Sequence, residues 1–259
     1  MFEFHTDSKK YFEMQTANAL EYVLPFIEEK IPIKNGMRVL EIGCGEGGVL
    51  KAFVDHGCIG VGVEFDKIRI ENASLWMADE IDGGKVSFVS KDIYQTEAEE
   101  LDGKFDIIIL KDVIEHIHDQ AKLLQRMHQL LVPKGVIFFG FPPWQMPFGG
   151  HQQICKNKWL SRMPYYHLLP KRLYAYVLKR KNENVDELLE IKETGISIER
   201  FERITKQTSY RILHKRHFLI NPIYKWKFNI KPRRQFAIIR AVPYLRNFLT
   251  TCVYYLIEQ

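Results

Sequence analysis

Val39-Leu40-Glu41-Ile42-Gly43-Cys44-Gly45-Glu46-Gly47-Gly48 is the stretch that decides how this chain of 259 residues folds. A short apolar strand, Met37–Ile42, runs into three glycines at alternate positions. A helical pattern then follows from Gly48 to His56, and Gly57 stops it. Residues without a Cβ turn tightly and let a ligand approach the backbone, so Gly43, Gly45 and Gly47 mark a strand–turn–helix unit suited to binding. About 20 residues later Glu64 closes the next strand, Ile59–Glu64, where dinucleotide-binding folds keep an acid for the ribose hydroxyls. A glycine cluster alone says little. Strand, glycines, helix, strand and acid in that order say much more.

Outward from this unit the chain alternates. Phe12–Glu29 reads as a helix with Phe12, Ala19, Tyr22, Val23 and Phe26 near one face, kinked or shortened by Pro25. Lys67–Glu80 is a helix ending in the turn Asp82-Gly83-Gly84. Val86–Ser90 is a strand, and Phe105–Leu110 has the unbroken apolar run of a strand buried on both faces. A helix over Asp119–Leu131, a turn at Pro133-Lys134-Gly135 and a strand over Val136–Phe141 complete the repeat. Strands and helices joined by short connections predict a mostly parallel, doubly wound α/β sheet. After Phe141 the pattern breaks into a Pro/Gly-rich loop and a basic, helical segment to Thr194. Ile196–Gln207 is a helix. Ser209–Leu219 and Thr251–Ile257 read as closing strands, and Asn221–Arg246 between them is basic and aromatic. Three segments follow from this division: a core over 1–150 with its N-terminal helix, a helical basic lid over 151–195, and closing elements over 196–259.

Hydrophobic residues make up 46% and charged residues 27%, as in globular proteins. Cys44, Cys58, Cys155 and Cys252 form no CxxC pair, which argues against a zinc site and a disulfide framework and fits the cytoplasm. Met1–Lys10 is charged and does not resemble a secretory signal, and no apolar run reaches the roughly 18–20 residues of a membrane span. The charge is split. Residues 1–150 hold 15 Lys and Arg against 24 Asp and Glu, a balance of −9, whereas residues 151–259 hold 22 against 8, a balance of +14. Such asymmetry points the second half toward an anionic partner. Its cations alternate with Tyr165, Tyr166, Tyr174, Tyr176, Tyr224, Trp226 and Phe228. Solvated faces, an anionic acceptor and peripheral membrane contact all remain open for them. Phe236–Ile257, apolar with interspersed Arg240, Pro243 and Arg246, reads either as a helix leading into a final edge strand or as a membrane-docking segment. Oligomeric state is not legible.

The spacing is E-x-G-x-G-x-G rather than G-x-G-x-x-G, and here the chain resembles class I S-adenosylmethionine (SAM)-dependent methyltransferases. The resemblance covers roughly Met37–Phe141 and has four stations in order. These are Glu41–Gly47, Glu64-Phe65-Asp66, Lys91-Asp92-Ile93, and Lys111-Asp112-Val113-Ile114-Glu115-His116 after Phe105-Asp106. The last is similar to the DVIEHI of ubiquinone-pathway and related small-molecule methyltransferases. The resemblance implies a Rossmann-like, seven-stranded sheet with an antiparallel edge strand and a helical lid. It implies SAM as cofactor, bound by Glu41, Gly43, Cys44, Gly45, Gly47, Glu64, Phe65, Asp92, Ile93, Lys111 and Asp112. Within that set, Gly43, Cys44 and Gly45 line the methionine portion and Glu64 accepts from both ribose hydroxyls. Asp92 accepts from the adenine amino group with Ile93 and Phe65 near the ring, and Lys111 and Asp112 approach the amino-acid end and sulfonium.

Methyl transfer needs alignment of a nucleophile and, for some acceptors, removal of its proton. The catalytic candidates are His151, His116 and Asp112. Asp112, Glu115 and His116 sit at i, i+3 and i+4 and share a face if the segment turns helical. His151, in Phe148-Gly149-Gly150-His151, enters the same rim. With Glu115 these residues are also similar to divalent-metal sites of small-RNA 2′-O-methyltransferases and ubiquinone O-methyltransferases. No metal is assigned on sequence, because the short Asp112 arm stands where that pattern has a glutamate and bond lengths must hold near about 2.1 Å. The resulting expectation is a SAM-dependent methyltransferase acting on a small-molecule or glycan acceptor, with oxygen the methylated atom. An RNA methyltransferase and a non-catalytic SAM-binding protein are the alternatives. No RNA-binding module and no N-P-P-Y motif after the fourth strand is present, so nucleic acid is not the expected partner.

Overall fold

The computed structural model describes residues 7–259; residues 1–6, the greater part of the charged start Met1–Lys10, lie outside the described residues. The chain opens with α1 (Ser8–Asn18), capped by the Asp7 side chain on Lys10 N–H, and α2 (Leu24–Glu28). The sequence predicts one helix kinked at Pro25. The structure instead widens the helix by one residue per turn over Ala19–Val23, so that Leu24 N–H donates to Ala19 O. Proline lacks the N–H that would close the preceding turn, and a π segment just before it absorbs the mismatch.

The Rossmann-like unit follows as β1 (Arg38–Ile42), α3 (Gly48–Asp55), β2 (Ile59–Glu64), α4 (Lys67–Trp76), α5 (Ala78–Asp82), β3 (Val86–Ser90), β4 (Phe105–Lys111), α6 (Gln120–Leu130) and β5 (Leu131–Phe141). Asp66 and Asp119 cap α4 and α6 through their side chains. The predicted turn at Pro133-Lys134-Gly135 lies inside β5, with Lys134 at φ +65° and a register irregularity against β4. The second half adds α7 (Lys171–Arg180), α8 (Val185–Thr194), α9 (Ile198–Gln207), β6 (Arg211–Ile220), α10 (Tyr224–Phe228), β7 (Arg233–Arg234), α11 (Ala237–Arg240), α12 (Leu245–Leu249) and β8 (Cys252–Glu258).

Strand order is β3-β2-β1-β4-β5-β8-β6-β7, with β1 to β5 pairing in parallel and β8 antiparallel to both of its neighbours. Two expectations are corrected here. The sheet has eight strands rather than seven, the extra one being the two-residue β7. The strand expected at the antiparallel edge, Cys252–Ile257, is interior: β8 lies between β5 and β6 and is buried at every residue from Cys252 to Ile257, and the antiparallel edge is the short β7. The run Val253-Tyr254-Tyr255-Leu256-Ile257 has no polar face to offer solvent, which is the pattern of a central strand.

Alternate strand residues feed two apolar layers. Leu40, Ile108, Leu110 and Ile137 pack toward α6 and α9, whereas Val39, Ile107, Ile109 and Val136 pack toward α1, α2 and α3. The segment after β5 is less helical than predicted: three short 3₁₀ turns precede α7 and α8. It has its own apolar cluster, in which Tyr166 and Tyr174 are buried with Leu160 and Leu178. These two tyrosines are therefore packing residues of that segment. Among the described residues no helix is long and apolar enough to cross a membrane.

Candidate active site

The glycine turn is held from behind and from the side. Gly43, Gly45 and Gly47 have φ of +67°, +54° and +82°, the left-handed region that other residues enter at a cost of roughly 1–2 kcal/mol. A Cβ on Gly43 would stand 2.6 Å from Val113 Cγ2. Behind the turn, the buried Glu41 carboxyl accepts from Leu50 N–H at 2.8 Å, satisfying one orphan donor of α3. Burial pushes Glu41 up to about 8. Beside the turn, Glu64 accepts from Gly45 N–H at 3.0 Å, Phe65 N–H at 2.9 Å and Asp66 N–H at 3.2 Å. Three of the roughly four acceptor positions of this carboxylate are thus engaged by backbone. Glu64 faces the loop, and its neighbour Phe65 stands 81% exposed. Parallel pairing puts Glu64 opposite Ser90, so Asp92 lies just beyond, exposed, with Ile93 buried beneath.

At the tip of β4 the Lys111 ammonium is buried. It donates to Asp112 Oδ2 at 2.6 Å and to Gln15 Oε1 at 3.0 Å. Asp112 occupies the left-handed region at φ +58° and is tied to β5 through its N–H to Gly140 O. Burial would raise the Asp112 carboxyl, but Lys111 beside it holds the value below the usual carboxylate range. Tyr11, Gln15, the glycine turn, Arg69, Lys111 and His116 enclose a polar cleft of about 250 Å³. This is near the lower end of ligand pockets, roughly 300–1,000 Å³, and is sized for part of a nucleoside-bearing ligand. A larger hollow of about 400 Å³, lined by Asn35, Asp55, Gly57 and Glu80, lies at the opposite, N-terminal ends of β1 and β2. Ligands of open α/β sheets bind at the C-terminal ends, so the smaller cleft is the candidate.

A second group adjoins it. The ligand atoms of Glu115, His116 and His151 all lie within 4.8 Å of one another, and the two imidazole rings are 4.9 Å apart. Glu115 Oε2 is buried without a hydrogen-bond partner among the described residues. Burial and then the Asp112 charge push the Glu115 carboxyl well up, while burial and then His116 bring the His151 imidazole down to about 4. His151 is left-handed at φ +53°, a strained position for a side chain with a Cβ. The next residue fixes it: Gln152 Nε2 donates to His167 Nδ1 at 2.8 Å, and His167 Nε2 donates to Trp144 O at 2.9 Å.

The sequence pattern of Asp112, Glu115 and His116 on one helical face is corrected. Only a 3₁₀ turn forms, over Ile114–His116, and Asp112 turns to Lys111 while Glu115 and His116 meet His151. Sequence reasoning missed the lid contributed by the chain's two ends. Tyr11 and Gln15 come from α1, with Gln15 Nε2 donating to Tyr11 Oη at 2.7 Å. From α10, Lys227 lies 5.0 Å from the Tyr11 ring, and its charge reaches both Asp112 and His151. The spacing of Tyr11 and Gln15, four apart on a helix, was the available signal.

Comparison with known proteins closes the description. A family model described as a methyltransferase domain matches residues 13–171. A ubiquinone biosynthesis O-methyltransferase of Histophilus somni is 27% identical over 59% of this chain; the match spans 62% of that enzyme, less than two thirds of its length. Among solved structures, an S-adenosylmethionine dependent methyltransferase from Mesorhizobium loti superposes with a TM-score of 0.55 at 14% identity, covering 93% of this chain and 100% of that one. Magnesium protoporphyrin IX methyltransferase from Synechocystis PCC 6803, with bound SAH, gives 0.54 at 12% identity over 96% and 84%. At such identities the structural likeness concerns the fold.

Proposed function

The chain belongs to the methyltransferase domain family, and from that premise we propose that it is a SAM-dependent methyltransferase acting on the oxygen of a small-molecule acceptor. The observation that carries this reading is the tie between Gly45 N–H and Glu64 at the mouth of a polar cleft. It sets a glycine turn and a ribose-type acid in one rigid unit. The residues present fit the cofactor. The three positive-φ glycines leave a cradle without side chains, Phe65 is an uncovered aromatic face beside an exposed Asp92, and Lys111 and Asp112 offer paired charges. Gly43, Cys44, Gly45 and Gly47 would line the methionine portion, with Glu41 holding the turn. Glu64 would take the ribose hydroxyls in exchange for a backbone amide. Phe65, Ile93 and Asp92 would hold the adenine, and Lys111 and Asp112 the amino-acid end.

SAM supplies a methyl group on a sulfonium, a leaving group that needs no activation. The protein's work is then alignment and the acceptor's proton. The residues at the rim would orient an acceptor hydroxyl toward that methyl group. The hydroxyl proton passes to His151, which is neutral at pH 7 because burial holds it down. Oxygen as the methylated atom and a small-molecule acceptor are supported by the names of the relatives.

A second reading concerns a divalent cation. Glu115, His116 and His151 would hold it, and the orphaned Glu115 Oε2 supports the fit. Such an ion would lower the pKa of a bound hydroxyl. Two imidazoles and one carboxylate favour a transition-metal ion over Mg²⁺, which prefers six oxygens.

The test of the main reading is thermal unfolding with S-adenosylhomocysteine. At about 100 times its dissociation constant a ligand stabilises by about 2.7 kcal/mol, or roughly 5–10 °C here. Absence of any shift at saturation would leave the cleft structural and the protein a scaffold.

A further inference from the structure

The hairpin before β8 is built inside out. Along Phe236–Leu249 the side chains of Arg246 and Asn247 are buried while most of the apolar ones are exposed. Arg246 donates to Glu199 at 2.8 Å and to Glu202 at 3.1 Å, Asn247 Nδ2 donates to Glu199 at 2.6 Å, and Tyr244 N–H donates to the same carboxylate at 2.9 Å. Against this anchored side, Ile238 is 76%, Tyr244 71% and Phe236 60% exposed, and Val242, Leu245, Phe248 and Leu249 are exposed too. The apolar face is therefore held out by a buried polar network rather than left by fraying. It continues across the fold. Tyr165 Oη donates to Phe248 O at 2.9 Å, joining α12 to the segment that carries Trp159, 80% exposed, and Met163. Exposed apolar side chains held out in this way mark an interaction site.

Charge selects the occupant. No Asp or Glu stands between Glu202 and Glu258, while twelve Lys and Arg do. Lys231, Arg233, Arg234 and Arg240 are exposed and make no ion pair with a described residue. A second copy of the chain would bring like charges together. An anionic bilayer satisfies both features, since apolar side chains enter the headgroup boundary, Trp and Tyr favour that interface, and each basic residue gains from the surface potential. We propose that α11, α12 and the Trp159–Tyr165 segment dock the protein on the surface of an anionic lipid bilayer. The location suits the cleft. Val253, at the start of β8, pairs with Phe141 at the C-terminal end of β5, the end of the sheet at which Asp112 stands. A docked molecule turns that end of the sheet toward the membrane.

Sedimentation of the full chain with vesicles tests this without any methyl acceptor, so its outcome is separate from that of the methyltransferase reading. Vesicles of phosphatidylcholine mixed with phosphatidylglycerol are expected to carry the protein down. Pure phosphatidylcholine is expected to do so far less, and high salt to release it. Ile238→Asp with Leu245→Asp abolishes binding, and Arg233→Ala or Arg234→Ala each weaken it about fivefold. Far-UV circular dichroism and a cooperative thermal unfolding transition report that each variant is folded. Equal binding to both vesicle types, unchanged binding of the double variant, or a dimer that the same double variant dissociates would each overturn the proposal.

Discussion

The Lys111 ammonium lies 2.6 Å from the carboxylate of its neighbour Asp112, a pair completed by Gln15 from the first helix. Burial favours the neutral amine, yet the Asp112 charge more than offsets it and raises Lys111 above its ordinary value. Lys111→Met is therefore expected to free Asp112 and uncouple α1 from the sheet. The cost should be about 2 kcal/mol, the scale of a charged hydrogen bond on a half-exposed partner. Urea denaturation measures it, and a change within experimental error would show that the pair contributes nothing to the fold.

Glu64 serves two masters in the proposed site. Glu64→Ala strands the amides of Gly45, Phe65 and Asp66 and should cost about 1–3 kcal/mol. It should also remove the S-adenosylhomocysteine thermal shift. Glu64→Gln keeps acceptor oxygen for the loop, so most stability should return while ligand affinity stays at least about tenfold down. A full shift in Glu64→Ala would sink the ribose assignment.

The buried Glu41 makes stability pH-dependent. Its folded value of about 8 lies above the ordinary carboxyl value of 4.5, so between these limits the unfolded chain gives up a proton that the folded chain keeps. Stability from this group then falls as pH rises, by about 1.4 kcal/mol per unit across that window. Glu41→Gln retains an acceptor for Leu50 N–H and should flatten the profile. Denaturation at pH 5.5 and 7.5 compares the two proteins, and parallel slopes would place the dependence elsewhere.

If Glu115, His116 and His151 hold a cation, Mn²⁺ or Zn²⁺ should raise the melting temperature of the wild type more than Mg²⁺ does. His151→Ala should abolish the increment while retaining the S-adenosylhomocysteine shift. Equal responses of wild type and variant would leave His151 as a base acting without metal.

Gly43, Gly45, Gly47 and Glu64 were legible because they are local. A turn needing positive φ selects glycine, and an acid at the next strand's end follows from the repeat itself. The parallel strands β1 to β5 were legible for the same reason, as unbroken apolar runs between helical patterns. Strand order at the far side was not. Thr251–Ile257 gave an apolar run, but a run does not say which neighbours it pairs with, and the structure seats β8 between β5 and β6.

The candidate site divides along the same line. Short-range sequence determined the glycine turn, its acid, the strand tip at Lys111 and the presence of two histidines near a cleft. Only the tertiary structure brought Gln15, 96 residues away in sequence, onto Lys111. It also turned Asp112 from the histidines to that lysine and left Glu115 Oε2 unpartnered beside His116 and His151. The inverted hairpin of Phe236–Leu249 was equally hidden, since Arg246 and Asn247 are buried by carboxylates from α9. The physical reason is common to these cases. Backbone sterics and hydrophobic periodicity act over a few residues and are written in order along the chain. Which polar group finds which partner depends on surfaces that meet only after the sheet has closed.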